Sequence, residues 1–218
     1  MKYSEIILNL LFPPKCPFCK KVQDSVGICV ACDKELPWIP EDFVLPENRG
    51  GILCGAPLWY EKQVRQAFLE LKFEGRSAVA EPLGEEVARC AAERFGGEFD
   101  VVTWVPVSKK RLKERGYDQS ELLARSACRR WGICPVKMLR KIVDTPPQST
   151  IEDAAARRAN VLGAYEAVNV EEIRNSRILL VDDIFTTGAT MGECVRVLKE
   201  AGAASVVCVA AARTREKR

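Results

Sequence analysis

The chain has 218 residues, 47% of them hydrophobic and 29% charged, with a net charge of +3. These are ordinary values for a globular protein of one medium domain, or one domain with a small appendage. It contains no histidine, which excludes Ser-His-Asp and Cys-His nucleophilic systems, histidine-ligated zinc catalysis and c-type haem attachment. Any catalysis must work by positioning, charge and metal, or by carboxylates.

The N-terminal stretch 1–12 (MKYSEIILNLLF) is short and apolar but carries Glu5 and Asn9 and runs into Pro13-Pro14-Lys15-Cys16. It lacks a basic leader and a small-residue cleavage site, so a short amphipathic helix is expected rather than a signal peptide. No stretch is long and apolar enough to span a bilayer, so no membrane insertion is expected. Ten cysteines without a secretory signal argue for metal binding in a reducing compartment rather than for disulfides, and a cytoplasmic protein is expected.

Cys16-Pro-Phe-Cys19 and Cys29-Val-Ala-Cys32 form two C-x-x-C knuckles. Each can place two thiolates on one ion, and together they complete a closed tetrahedral site. Four sulfur ligands suit zinc, with an iron–sulfur centre as the alternative. The role is structural, since no ligand position stays open and so short a segment needs a staple to fold. Cys54 reads as a buried small hydrophobe, and Cys90, Cys128, Cys134, Cys194 and Cys208 as core residues. A zinc-binding module over 1–56 and an α/β domain over 57–218 are expected.

From residue 57 strands alternate with helices. A strand at Pro57–Tyr60 precedes a helix marked by Val64, Ala67, Phe68 and Leu71 and closed near Gly75. A second helix is expected over 78–95, then a strand over Phe99–Val105, a helix over 119–131 and a strand near Val136–Leu139. A polar connection from Thr145 to Asn160, with Arg157 and Arg158, suits a lid over a bound ligand. Strand-like Ala164–Val168 leads to the central strand, a helix ending at Gly202 and a closing strand over 205–211. This order predicts an α/β domain with a mainly parallel sheet flanked by helices.

The most informative stretch is RILLVDDIFTTGAT, residues 177–190. Ile178 to Val181 suit a strand buried on both faces, whose carboxyl end is where such sheets bind ligands. That end carries Asp182 and Asp183, followed by Thr186-Thr187-Gly188-Ala189-Thr190 and a helix. Gly188 permits a tight turn, and the helix start with the threonine hydroxyls makes an anion cradle. Carboxylates beside a phosphate cradle suggest a ligand that is both sugar and phosphate. The turn after the Phe99–Val105 strand places Ser108, Lys109, Lys110 and Arg111 at another strand's carboxyl end, where lysine charge and arginine forks suit a pyrophosphate. The wider segment from Ser108 to Lys141 holds eleven Lys/Arg and three acidic residues, a concentration that could also attract single-stranded DNA, with Tyr117 and Trp131 near enough to stack on bases.

The aspartate stretch resembles the signature of the type I phosphoribosyltransferases, which bind phosphoribosyl pyrophosphate (PRPP). Together with CPFC, CVAC, LKFEGR at 71–76, VPVSKKRLKERGYDQSELLAR at 105–125, TPPQ at 145–148 and RRANVLGAY at 157–165, the chain resembles the ComF family of competence-associated, phosphoribosyltransferase-like proteins nearly end to end. The resemblance implies a type I phosphoribosyltransferase-like fold with N-terminal zinc knuckles. It implies Asp182 and Asp183 on the ribose, Thr186 to Thr190 on the 5′-phosphate, and Ser108 to Arg111 on a magnesium-bound pyrophosphate. It also implies a role in import of single-stranded DNA during natural transformation, alongside DNA-uptake helicase machinery, or an active phosphoribosyltransferase releasing pyrophosphate. Two departures stand out. Where some relatives hold a second pair of knuckles this chain has Cys54 alone, so one zinc is expected, and Asp118 stands where asparagine is expected.

Overall fold

A computed structural model describes residues 13–41, 43, 52–145 and 159–215. The expected N-terminal helix at 1–12 and the lid residues 146–158, with Arg157 and Arg158, lie outside the described residues. Strand β6 in this numbering is the nine-residue run Arg177–Phe185, and every other layer is placed by it. It pairs in parallel with β7 (Ser205–Arg213) on one side and β3 (Val101–Trp104) on the other. On the far side of β7 lies an edge made of β1 (Cys54–Gly55) and β2 (Leu58–Trp59), also parallel. The edge breaks at Ala56-Pro57, where proline has no N–H to give to a ladder. The sheet thus takes in Cys54 and Gly55, ahead of the boundary expected between residues 56 and 57.

Ile178, Leu179, Leu180 and Val181 are all fully buried because the sheet is covered on both faces. Successive strand side chains point to opposite faces, so Leu179 and Val181 join one core and Ile178 and Leu180 the other. The first core packs against α2 (Lys62–Phe73), α3 (Ala80–Phe95) and α5 (Gln119–Trp131). The second packs against α7 (Ala189–Glu200), with Met191, Cys194, Val197 and Leu198 turned inward. Each such side chain contributes roughly 1.5–3 kcal/mol by burial. Gly84 lets α3 and α5 meet closely, since a Cβ there would lie 2.3 Å from the Ser126 Cβ.

The α/β architecture and the mainly parallel sheet are as expected, with three local differences. The strand expected at Val136–Leu139 is β4 at Leu139–Lys141. It pairs antiparallel with β5 (Tyr165–Ala167) as a separate two-stranded ribbon. Val136 instead donates its N–H to the Val102 carbonyl beside β3. The basic stretch read as a turn is a helix, α4 (Lys109–Arg115), because the Ser108 hydroxyl caps the Arg111 N–H and Gly116 closes it in a left-handed conformation. Cys134 is exposed rather than core, because it lies past the α5 terminus at Gly132 in the connection to Pro135. Cys54, Cys90, Cys128, Cys194 and Cys208 are buried as expected. Among the described residues no helix is long and apolar enough to cross a membrane.

Candidate functional site

The N-terminal knuckles converge. The sulfurs of Cys16, Cys19, Cys29 and Cys32 all lie within 4.8 Å of one another, with Cys19 and Cys29 3.6 Å apart. A tetrahedral zinc–thiolate site has sulfur–sulfur edges of roughly 3.8 Å for bonds of about 2.3 Å, so the four residues fit one zinc. The short helix α1 (Val30–Glu35) starts from Cys29, whose sulfur accepts the Cys32 N–H. Burial works against ionising Cys16, yet hydrogen bonds at Cys29, Cys19 and Phe18 pull its thiol down to about 7. Burial and the crowd of neighbouring thiols push Cys32 far up, and metal charge is what holds such a set deprotonated. Cys54 lies apart in the sheet and is not a fifth ligand.

At the carboxyl end of β6 a cavity of about 680 Å³ opens between the sheet edge, α2 and α5. Asp182, Asp183, Thr186, Thr187, Gly188, Ala189 and Thr190 all line it. β6 runs on through both aspartates to Phe185, with Asp182 paired to Ala210 and Ile184 to Ala212 of β7 on either side of Asp183. Asp182 is buried, and its Oδ1 accepts the Ser120 hydroxyl at 2.9 Å and the Asp183 N–H at 2.8 Å. Burial, then the Asp183 charge, pushes its carboxyl up to about 8, more than these bonds offset. Asp183 is partly exposed, accepts the Ile184 N–H at 2.6 Å and ion-pairs with Lys72 at 2.6 Å. The next turn ends at Gly188, whose φ of 77° is the left-handed region that favours glycine. Helix α7 begins there, so the N–H groups of Thr190 and Met191 have no intrahelical partner, and both residues line the cavity. A helix start of this kind suits an anion.

Among the described residues, five cations, Arg65, Lys72, Arg111, Arg115 and Lys141, line the cavity against three carboxylates, Glu114, Asp182 and Asp183. Such a balance suits a polyanion. Burial and the nearby Arg111 lower the Lys141 pKa, and its ammonium lies over the Tyr165 ring at 5.2 Å. Arg115 sits over Phe73 at 5.2 Å.

The expected pyrophosphate residues divide. Arg111 reaches the main cavity and donates to the Thr145 carbonyl at 2.8 Å. Ser108, Lys109 and Lys110 instead line a neighbouring pocket of about 360 Å³ with Arg140 and Asp144. There the Ser108 hydroxyl donates to Asp144 at 2.6 Å, and Lys110 lies 4.0 Å from the same carboxylate. Asp118 has a definite task. Its carboxylate accepts the N–H groups of Val107, Ser120 and Glu121, tying the β3–α4 connection to the start of α5. Burial outweighs these bonds and pushes its carboxyl up to about 6.

Sequence reasoning included Arg115 in the basic cluster after the Phe99–Val105 strand but did not pick out Lys72, Arg65 or Ser120. Arg65, Leu69 and Lys72 recur at helical spacing beside the buried stripe of α2, and that second stripe is the signal for them. Trp131 is half-buried and packs edge-on against Phe99 at 5.4 Å. The Tyr117 hydroxyl donates to the Leu71 carbonyl at 2.5 Å. Arg125, Arg129 and Arg140 pair with Glu121, Glu81 and Glu166.

Residues 120–218 match the phosphoribosyl transferase domain family, and residues 7–61 match the double zinc ribbon domain family. The latter segment holds five cysteines and no histidine, enough for one four-ligand site. Competence protein ComFC of Bacillus subtilis (strain 168) is 24% identical over 192 residues, covering 88% of this chain and 74% of that protein. Competence protein ComFC of Streptococcus pneumoniae is 29% identical over 195 residues, covering 88% and 77%. The DNA utilization protein YhgH of Escherichia coli O157:H7 is 27% identical over 203 residues, covering 83% and 87%. The similarity runs through both the cysteine module and the aspartate-bearing sheet, so the chain is similar to these competence and DNA utilization proteins over most of its length.

Proposed function

We propose that the protein binds PRPP with magnesium at the carboxyl end of β6 and acts as a cytoplasmic accessory in uptake of single-stranded DNA. The observation that carries the first part is the shared cavity: two adjacent aspartates, a helix start and five cations line one space. Asp182 and Asp183 accept hydrogen bonds from the ribose hydroxyls. The amides and hydroxyls of Thr186 to Thr190 take the 5′-phosphate. Arg111, with Ser108, Lys109 and Lys110 on the adjoining pocket, takes the pyrophosphate. Magnesium arriving with the ligand supplies screening of the pyrophosphate charge. The names of the relatives, two competence proteins and a DNA utilization protein, support the second part, with DNA-uptake helicase machinery as the partner. In this reading 1–56 is the zinc-binding module and 57–218 the PRPP-binding domain.

Direct contact with single-stranded DNA falls to α4, where Lys109, Lys110 and Lys113 are exposed. A fluorescence titration with single-stranded DNA at low ionic strength tests it, and binding that does not weaken with salt would rule out this surface.

A second reading, a working phosphoribosyltransferase, is favoured by Tyr60, Leu69 and Phe73, which line the same cavity as the aspartates and leave an apolar flank for an acceptor base or amine. Isothermal titration with PRPP and magnesium, followed by pyrophosphate release across bases and amines, separates the two. Binding without release supports the accessory role, and binding with release supports transfer. Absence of PRPP binding overturns both.

A further inference from the structure

We propose that Lys72 is an exchange cation: it pairs with Asp183 until the ribose hydroxyls of the ligand claim that carboxylate, and then passes to the ligand's pyrophosphate. The inference rests on the PRPP reading of the cavity and deepens it. Three observations carry it.

Lys72 holds Asp183 directly, Nζ to Oδ2 at 2.6 Å, while Asp183 Oδ1 accepts the Ile184 N–H at 2.6 Å. Both oxygens of the carboxylate are therefore engaged, and the Lys72 ammonium occupies the one not tied to backbone. A hydroxyl donor reaching Oδ2 competes with it.

The helix bearing Lys72 is pinned, so the exchange falls to the side chain. Leu71 is fully buried and its carbonyl accepts the Tyr117 hydroxyl. Glu70 is 1% exposed and binds both Lys20 and Arg76. The Lys72 side chain itself is 21% exposed, and lysine is a compact charge on a flexible four-carbon stem, suited to changing partners without moving its backbone.

Two other cations of the cavity are held against rings, Arg115 over Phe73 and Lys141 over Tyr165, and Arg111 approaches from α4. Lys72 is the cavity cation that is ion-paired with Asp183.

The test uses the full chain with zinc bound. Titration of PRPP·magnesium and of ribose 5-phosphate is compared for the wild type, Lys72→Met and Lys72→Arg, with denaturation midpoint and zinc content as folding controls. Exchange predicts opposite effects in Lys72→Met. PRPP binding weakens at least tenfold because its pyrophosphate loses a cation, while ribose 5-phosphate binds as well as before or more tightly because nothing competes for Asp183. Lys72→Arg restores part of the PRPP affinity. If both ligands weaken in parallel, or neither changes, Lys72 is structural and the inference is overturned while the PRPP reading stands. If the wild type binds no PRPP, the reading of the cavity fails and this inference with it.

Discussion

Lys20, the residue after the first cysteine knuckle, places its ammonium 2.5 Å from the Glu70 carboxylate on α2. Glu70 is buried, and its second oxygen binds Arg76. Two residues on along the same helix, Lys72 holds Asp183. One helix thus touches the cysteine module on one side and the β6 aspartates on the other. Burial alone would raise the Glu70 pKa, but Lys20, Gln66 and Arg76 outweigh it and hold the carboxyl below its ordinary value. A folded-state pKa below the unfolded one adds stability above the unfolded value, and that stability is lost as pH falls through the folded one. Glu70→Ala should therefore cost about 2 kcal/mol at neutral pH. In urea denaturation the gap to wild type should close below about pH 4. A gap independent of pH would mean that packing, not charge, is what Glu70 provides.

Asp182 behaves with the opposite sign. Burial and the Asp183 charge push its carboxyl up to about 8, well above the unfolded value. Between the two values the folded state binds the extra proton, so stability falls as pH rises toward 8. Asp182→Asn removes a group that resists ionising. It should melt several degrees above wild type at about pH 8–9, at and above the transition, and match it in acid below about pH 4. The same variant should bind PRPP far more weakly. Thermal melts across pH, read beside titration calorimetry, check both halves.

Much of this was legible in the sequence where local chemistry and tertiary demand agree. Ile178 to Val181 are apolar because both sheet faces are covered, and the run is visible without any partner strand. The bounds of α5 follow from Asp118 as N-cap and Gly132 as left-handed terminus. The knuckles announce themselves by spacing. What stayed hidden depends on rotation and partners. Lys109, Lys110 and Arg111 read as one basic turn. Once Ser108 caps a helix there, successive side chains swing by about 100°, so Arg111 reaches the cavity while Lys109 and Lys110 line the adjoining pocket. The β4–β5 ribbon was not separable from the sheet because its strands are three residues each and one carries the buried Lys141. Lys72 was masked by its neighbours, since the buried stripe of α2 explains that helix without it.

Gly188 tests whether the cradle depends on backbone shape. Its φ of 77° costs an L-residue with a side chain about 1 kcal/mol. Gly188→Ala should lower stability by about that amount. It should weaken PRPP binding more than the stability loss implies, because the strain falls on the turn that aims Thr186, Thr187 and the α7 start. Denaturation gives the first number and titration calorimetry the second. Equal affinity in the variant would show that the turn's conformation is not what holds the phosphate.

The four-cysteine site predicts one zinc per chain and a stability that depends on it. Cys29 is the most telling ligand to remove, because its sulfur also accepts the Cys32 N–H at the start of α1. Cys29→Ser leaves a hydroxyl that can still cap the helix but cannot replace a thiolate on zinc. The variant should retain less than half an equivalent of metal by elemental analysis and melt well below wild type. Chelation of the wild type should produce the same fall, and added zinc should reverse it only in the wild type. The partner substitution Asp182→Ala with Asp183→Ala should leave the metal content unchanged while abolishing PRPP binding, because Lys20 and Glu70 join the two sites through α2 without either sharing ligands with the other. Loss of zinc in that double variant would mean that the cysteine cluster folds only on an intact β6 end.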